Sequence, residues 1–305
     1  MALNTTASLL SDASKEMQTE SSYTNFKVAV LANIKTVEAL LFLDQENEEL
    51  LVTALKGYAG YSFVVNETEY LEEYYSKKEK EVGGSKEQLI SNYSKSLNYG
   101  MRFLKVRGIQ FNQLQDSLKE TDGMDQLLTK KLDGESMLHL EGVMYLAQSL
   151  GGLINVQKND MRLVYYAPVA KGLFDWVCKN KPDMVFGSCN LFYGAYEAGR
   201  PKMLGGNPQL AQKYFEEMIA KYPHNWLARL GYIQYYLIPL SNEEEYKQQA
   251  KFLDQALLLH QAQLKWNPVV EPQAQEAFAE NQIRLFQTVA IERYKIIKKY
   301  EKELF

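Results

Sequence analysis

Proline occurs only 8 times and glycine 18 times in 305 residues. So few breakers argue against a fold of many short strands and favour long helices. There are two cysteines, Cys178 and Cys189. Two scattered thiols make neither a disulfide framework nor a zinc site; they form one bridge if the compartment is oxidising, and otherwise behave as small core residues. No run approaches the ~18 consecutive apolar residues of a membrane span. No basic stripe stands out: the net charge is −4 with both signs interleaved, which gives nucleic acid no electrostatic footprint to bind. Met1 to Ser22 is polar and rich in Ser and Thr, and lacks the charged-then-apolar order of a secretory leader. Either the chain works in the cytoplasm or a leader has been removed from it.

What is present is helical periodicity. Hydrophobic residues make up 46% of the chain, enough to bury a full core. From Ser22 to Asp44, Phe26, Val30, Ile34, Val37 and Leu41 share one stripe. From Asn47 to Val65, Leu51, Ala54, Tyr58, Tyr61 and Val65 do the same. A short helix is expected over Asn66 to Glu81, ended by Gly83 and Gly84. Lys86 to Val106 follows, then short pieces from Gln110 to Asp133 broken at Gly108 and Gly123. Further helices are expected over Glu135–Val156, Asp160–Asn180 and Asp183–Gly199. Asn207 reads as an N-cap with Pro208 at the first helical position. That helix ends before Pro223, and the next runs to Ile238 and stops at Pro239. Ser241 to Glu244 reads as a capping box. A last helix is expected from about Pro272 to Tyr300. The first 21 residues are expected to be an extended or disordered segment, and 22–305 a single domain.

Helical pairs joined by short proline-bearing turns point to a repeat array. Ala211, Phe215, Met218 and Pro223 have the spacing of the second helix of a tetratricopeptide (TPR) repeat. Ala170, Phe174, Val177 and Pro182 repeat that spacing, and Asn33, Val37, Leu40 and Gln45 echo it weakly. The small residue lets two helices approach, the aromatic fills the gap, and proline cannot continue the helix before it. The expected fold is therefore all-α, with TPR-like helical hairpins stacked into an α-solenoid or superhelix.

The most distinctive stretch joins two helices through Gly194, Ala195, Tyr196, Pro201 and then Leu204, Gly205, Gly206, Asn207 and Pro208. Ordinary TPR turns are shorter. Paired glycines let the backbone take unusual angles and approach something closely. With Ala211 and Phe215 beyond it, this run resembles the T component of tripartite ATP-independent periplasmic (TRAP) transporters. Gly151 to Asn155, the pair Tyr235 and Tyr236, and Val37 to Leu41 leading to Asn47 fit the same pattern. The resemblance implies TPR-like hairpins, a periplasmic and often lipid-anchored protein, and a TRAP P-type substrate-binding protein as partner. It also implies a homotrimer and a hydrophobic or organic-acid ligand; no cofactor is expected. No lipobox is seen, and Leu150 stands where a Trp is expected before the glycine pair.

Polar residues on apolar faces are the candidate contacts. Asn190 and Glu197 lie on the stripe of Phe186, Cys189 and Tyr193, and a buried carboxylate there needs Arg200 or Lys202 as a partner. The pair lines a ligand cavity or pins the long loop. Gln234 lies with Leu230 and Ile238, and Asn281 with Phe278 and Leu285. Asn155, Tyr193, Tyr196 and Tyr235 complete the set, since tyrosine-lined surfaces suit amphipathic ligands. His139, His224 and His260 lack the spacing of a helical zinc site, and no matched acid–base pair is visible. Binding is therefore expected rather than catalysis. The alternatives are a generic TPR scaffold for protein–protein contacts and, more remotely, an all-α hydrolase using carboxylates such as Glu197.

Overall fold

A computed structural model describes residues 2–77, 83–269 and 272–305. Among them every regular element is helical and none is a strand, as the lack of two-residue alternation requires. The fold is all-α. The chain forms two compact units, Met1–Ser14 with Lys27–Pro182, and Lys15–Phe26 with Asp183–Phe305.

The first unit contains α1 (Ala2–Ala13), most of α2 (Tyr23–Leu43), α3 (Glu48–Tyr61), α4 (Glu67–Ser76) and α5 (Gly84–Val106). It continues with α6 (Phe111–Ser117), α7 (Gly123–Lys131), α8 (Met137–Val156), α9 (Met161–Val164) and α10 (Ala167–Asn180). Asn47 caps α3 by accepting the Leu50 amide, with Glu48 and Glu49 in the first turn beside the positive end of the helix dipole. Leu51, Ala54, Tyr58, Tyr61 and Val65 are all buried, so the stripe faces the core throughout. The helix does not run through unbroken: Ser62–Asn66 is a π-turn. Gly84 opens α5 instead of closing the helix before it; residues 78–82, which complete the stretch expected to be helical there, lie outside the described ones. In α10, Ala170, Phe174 and Val177 are buried at the repeat spacing, and Pro168 sits within the first turn, where its missing N–H costs nothing.

The second unit contains α11 (Ser188–Gly199), α12 (Pro208–Lys221), α13 (Leu227–Tyr232), α14 (Glu243–Gln263), α15 (Pro272–Ala277), α16 (Arg284–Lys299) and α17 (Glu301–Leu304). Ala211, Phe215 and Met218 are buried on α12. A second π-turn, Ile233–Leu237, extends α13. Asn242, not Ser241, caps α14, taking the Glu245 amide at 3.2 Å; Ser241 instead adopts a left-handed φ of 51° that completes the turn. The helix expected from Pro272 to Tyr300 is broken between α15 and α16 by a 3-10 turn at Asn281–Ile283. Glu280 caps that turn by accepting the Gln282 amide. In the same unit the chain near Ser21 is tied down: the Thr288 hydroxyl lies 3.0 Å from the Ser21 carbonyl and 3.1 Å from His260 Nε2.

Candidate functional site

The segment from Phe186 to Pro208 folds into α11, a clasped loop and the first turn of α12. Ahead of α11 three consecutive residues have positive φ: Val185 at 47°, Phe186 at 52° and Gly187 at 96°. A β-branched residue in that region is strained and persists only when its surroundings hold it. Asn225, buried in the turn after Pro223, supplies the hold. Its Nδ2 donates to the Phe186 carbonyl at 2.9 Å, while its Oδ1 accepts the Leu227 amide. One side chain thus fixes both the entrance to α11 and the start of α13.

An aromatic row runs along α11. Phe192 stacks on Tyr196 with centroids 5.6 Å apart, and Tyr193 meets Tyr214 of α12 at 5.3 Å. The two helices approach closely because Gly194 lies against Phe215, where a Cβ would stand 2.7 Å from the ring. Asn190 donates from Nδ2 to the Tyr214 carbonyl at 3.4 Å and to Glu217 at 3.3 Å.

Arg200 organises the loop. Its guanidinium lies 3.9 Å above the Tyr196 ring, a cation–π contact. Its Nη2 donates to Glu197 Oε1 at 2.8 Å, its Nε to the Tyr196 carbonyl at 3.2 Å, and its Nη1 to the Leu204 carbonyl at 3.3 Å. Glu197, 8% exposed, therefore has its charge partner in Arg200, while Lys202 points into solvent. The Asn207 amide returns to the Glu197 carbonyl at 3.2 Å. Gly205 takes φ 82°, and Gly206 passes so close that a Cβ would stand 1.8 Å from the Arg200 carbonyl oxygen. Only glycine fits that crossing. Asn207 then caps α12 through the Leu210 amide at 3.1 Å, with Pro208 first in the helix. With the Arg200 guanidinium turned inward, the loop presents Met203, 90% exposed, and Leu204, 55% exposed.

The structure therefore brings Asn190, Tyr193, Gly194, Tyr196 and Glu197 onto one helix, with Arg200 at its C-cap and Pro201, Leu204, Gly205, Gly206 and Asn207 in the loop that follows. Gln234 and Tyr235 lie in the π-turn after α13, which packs on α11 through Gly231 against Leu191. Gln234 Oε1 is buried there without a partner. Asn281 is exposed, because the break before α16 turns it off the apolar stripe, and Asn155 is exposed on α8 of the other unit. Sequence reasoning passed over Tyr214, Gln212 and Asn225. Gln212 Oε1 accepts from the Tyr236 hydroxyl at 3.1 Å and fastens the π-turn to α12. Burial pushes the Tyr232 and Tyr236 phenols above their usual range, so both remain neutral hydrogen-bonding groups. The position of Asn225 two residues after Pro223 was a legible signal; Tyr214 lies on the apolar stripe of its helix, where packing is the ordinary role, and nothing in the periodicity singles out Gln212.

The segment is thus built from aromatic rings and a guanidinium that is held within its own loop. The family model for the TRAP transporter T-component matches residues 26–263. No curated protein matches the chain. That family is one of transporter components and not of enzymes, and its members serve outside the cytoplasm or at the membrane. No helix among the described residues is long and apolar enough to cross a membrane. With the match spanning most of its length, the chain belongs to the T-component family of TRAP transporters.

Proposed function

We propose that this protein is the accessory periplasmic component that docks the substrate-binding P component of a TRAP transporter through loop 200–207. The observation that carries the reading is the clasp. Arg200, Glu197 and Gly206 hold the loop in one shape while Met203 and Leu204 face outward. An apolar tip fixed in advance binds without the entropic cost of ordering a flexible loop. Met203 also adapts well to an irregular partner pocket, and Lys202 beside it favours an acidic rim. The aromatic row of Phe192, Tyr193 and Tyr196 offers an apolar wall with hydroxyl handles for a hydrophobic or carboxylate ligand. TPR-like stacking of the hairpins, and assembly as a lipid-anchored trimer, complete the reading. Both cysteines are disulfide-bonded, which suits an oxidising compartment outside the cytoplasm.

The test is direct binding of the purified chain to the P component of the same system, by titration and by native mass spectrometry. We expect Met203→Asp and Leu204→Asp each to weaken the complex at least about tenfold, the range of a central interface residue, with the melting temperature unchanged. Equal binding by the wild type and both variants overturns the assignment of the loop. No complex at all overturns the docking role.

A further inference from the structure

A second apolar tip in the same unit has different properties. After α14 ends at Gln263 the chain continues through Leu264, Lys265, Trp266, Asn267, Pro268 and Val269, every one exposed. Trp266 is 89% exposed, Val269 68% and Leu264 51%. Tryptophan carries a large apolar area and is highly buried on average in folded proteins. The charge around it is unusual for this chain. Acidic residues outnumber basic ones, 38 to 34, yet none occurs between Asp254 and Glu271. Lys265 sits inside the acid-free stretch. The hydrogen bonds of the tip are local: the Lys265 amide reaches the Ala262 carbonyl at 3.1 Å, and the Val269 amide reaches Asn267 Oδ1 at 3.0 Å. Among the described residues, no side chain clasps it as Arg200 clasps the other loop.

We infer that the Leu264–Val269 tip is a contact for the surface of a lipid bilayer, separate from the loop proposed above to bind the P component. Two points select a bilayer over a protein. A protein pocket rewards a fixed shape, whereas the interfacial region of a bilayer accepts a loosely held one. The composition is that of an interfacial anchor: an indole with an apolar body and one N–H donor, flanking aliphatic residues, and a cation beside them. An acid-free stretch in an otherwise acidic chain also removes the repulsion that anionic lipids would exert.

The protein carries its own reporter. Trp176 and Trp226 are each 1% exposed, so Trp266 is the indole whose emission responds to a new environment. The experiment mixes the full chain with vesicles of equal parts phosphatidylethanolamine and phosphatidylglycerol. We expect the emission to shift to shorter wavelength, brominated acyl chains to quench it, and the protein to sediment with the vesicles. Trp266→Ser should lose the shift and sediment several-fold less, and Leu264→Ser should sediment less while keeping a smaller shift. Both positions are exposed, so circular dichroism melting should be unchanged and serves as the control for folding. Absence of both shift and sedimentation overturns the inference. So does a shift that appears with rising protein concentration alone, which would mark self-association, or one that requires added P component, which would mark a protein partner. None of these outcomes depends on whether Met203 and Leu204 dock the P component.

Discussion

Arg200 donates to Glu197 Oε1, to the Tyr196 carbonyl and to the Leu204 carbonyl while stacking on the Tyr196 ring. Removing it leaves a largely buried carboxylate and two carbonyls without donors at once. We expect Arg200→Ala to destabilise the fold by about 1.5–3 kcal/mol, the range for hydrogen bonds to charged groups. Arg200→Lys should recover little, because an ammonium lacks the planar fork and the stacking face. Thermal melting of the three proteins checks both statements. Lysine equal to arginine would show that charge alone holds the loop. The residues that take part were legible in the sequence, since Glu197, Arg200 and the glycine pair stand out there. Their roles were not. Whether Glu197 meets a ligand or Arg200 depends on a loop returning within 3.2 Å of the Glu197 carbonyl, and that return is a property of backbone angles such as the φ of 82° at Gly205.

Helices in this protein are tied together by single polar residues placed where faces meet. On α2, Glu38 Oε1 accepts from Tyr58 of α3 and Tyr99 of α5, both at 2.8 Å, and Oε2 accepts from Lys35. The two phenol rings stack with centroids 5.9 Å apart. Partial burial alone would raise the Glu38 carboxyl, but the hydrogen bonds from Lys35, Tyr58 and Tyr99 outweigh it and hold the group below the usual carboxylate range. A lowered folded value means that the unfolded chain takes up the proton first as the pH falls. The stability Glu38 contributes is therefore complete above about pH 4.3, the free glutamate value, and is lost as the pH drops through the folded value. Glu38→Gln should be less stable at pH 7 and show a shallower decline between about pH 5 and 3, which denaturant unfolding across that range would measure; parallel curves would refute the linkage.

The second unit has a tie of its own where Thr288 of α16 meets His260 of α14 and the Ser21 carbonyl. Burial lowers the His260 imidazole, so the tie forms in the neutral state. Thr288→Val removes the hydroxyl, and amides around Ser21 to Phe26 should exchange faster with solvent, with a loss of about 1 kcal/mol. Unchanged exchange would mean that the segment is held by other contacts. Neither tie was visible in the sequence, because each joins residues far apart in the chain. The π-turns at Ser62–Asn66 and Ile233–Leu237 were hidden for another reason: one added residue per turn barely disturbs a hydrophobic stripe.

For the molecule as a whole, the state of the two cysteines tests the oxidising setting proposed above. Both cysteines are disulfide-bonded, so protein made in an oxidising compartment and unfolded without reductant should show no titratable thiol, and two after reduction. Two thiols before reduction would contradict the bridge and weaken the case for an extracytoplasmic site. The membership of the chain in the T-component family was readable because its carriers are local: a glycine pair, a capped proline and a small–aromatic spacing within a few dozen residues.

The sequence by itself determined that the chain is all-α, where most helices lie, which faces they bury and which family they belong to. Those are short-range properties, set by a 3.6-residue period and by capping residues acting on their own turn. Only the tertiary structure decided that Glu197 belongs to Arg200, that Asn225 holds the Phe186 carbonyl beside a strained Val185 and that Trp266 is left bare while Trp176 and Trp226 are enclosed. Exposure and partnership depend on which distant face covers a side chain, and no local pattern encodes that.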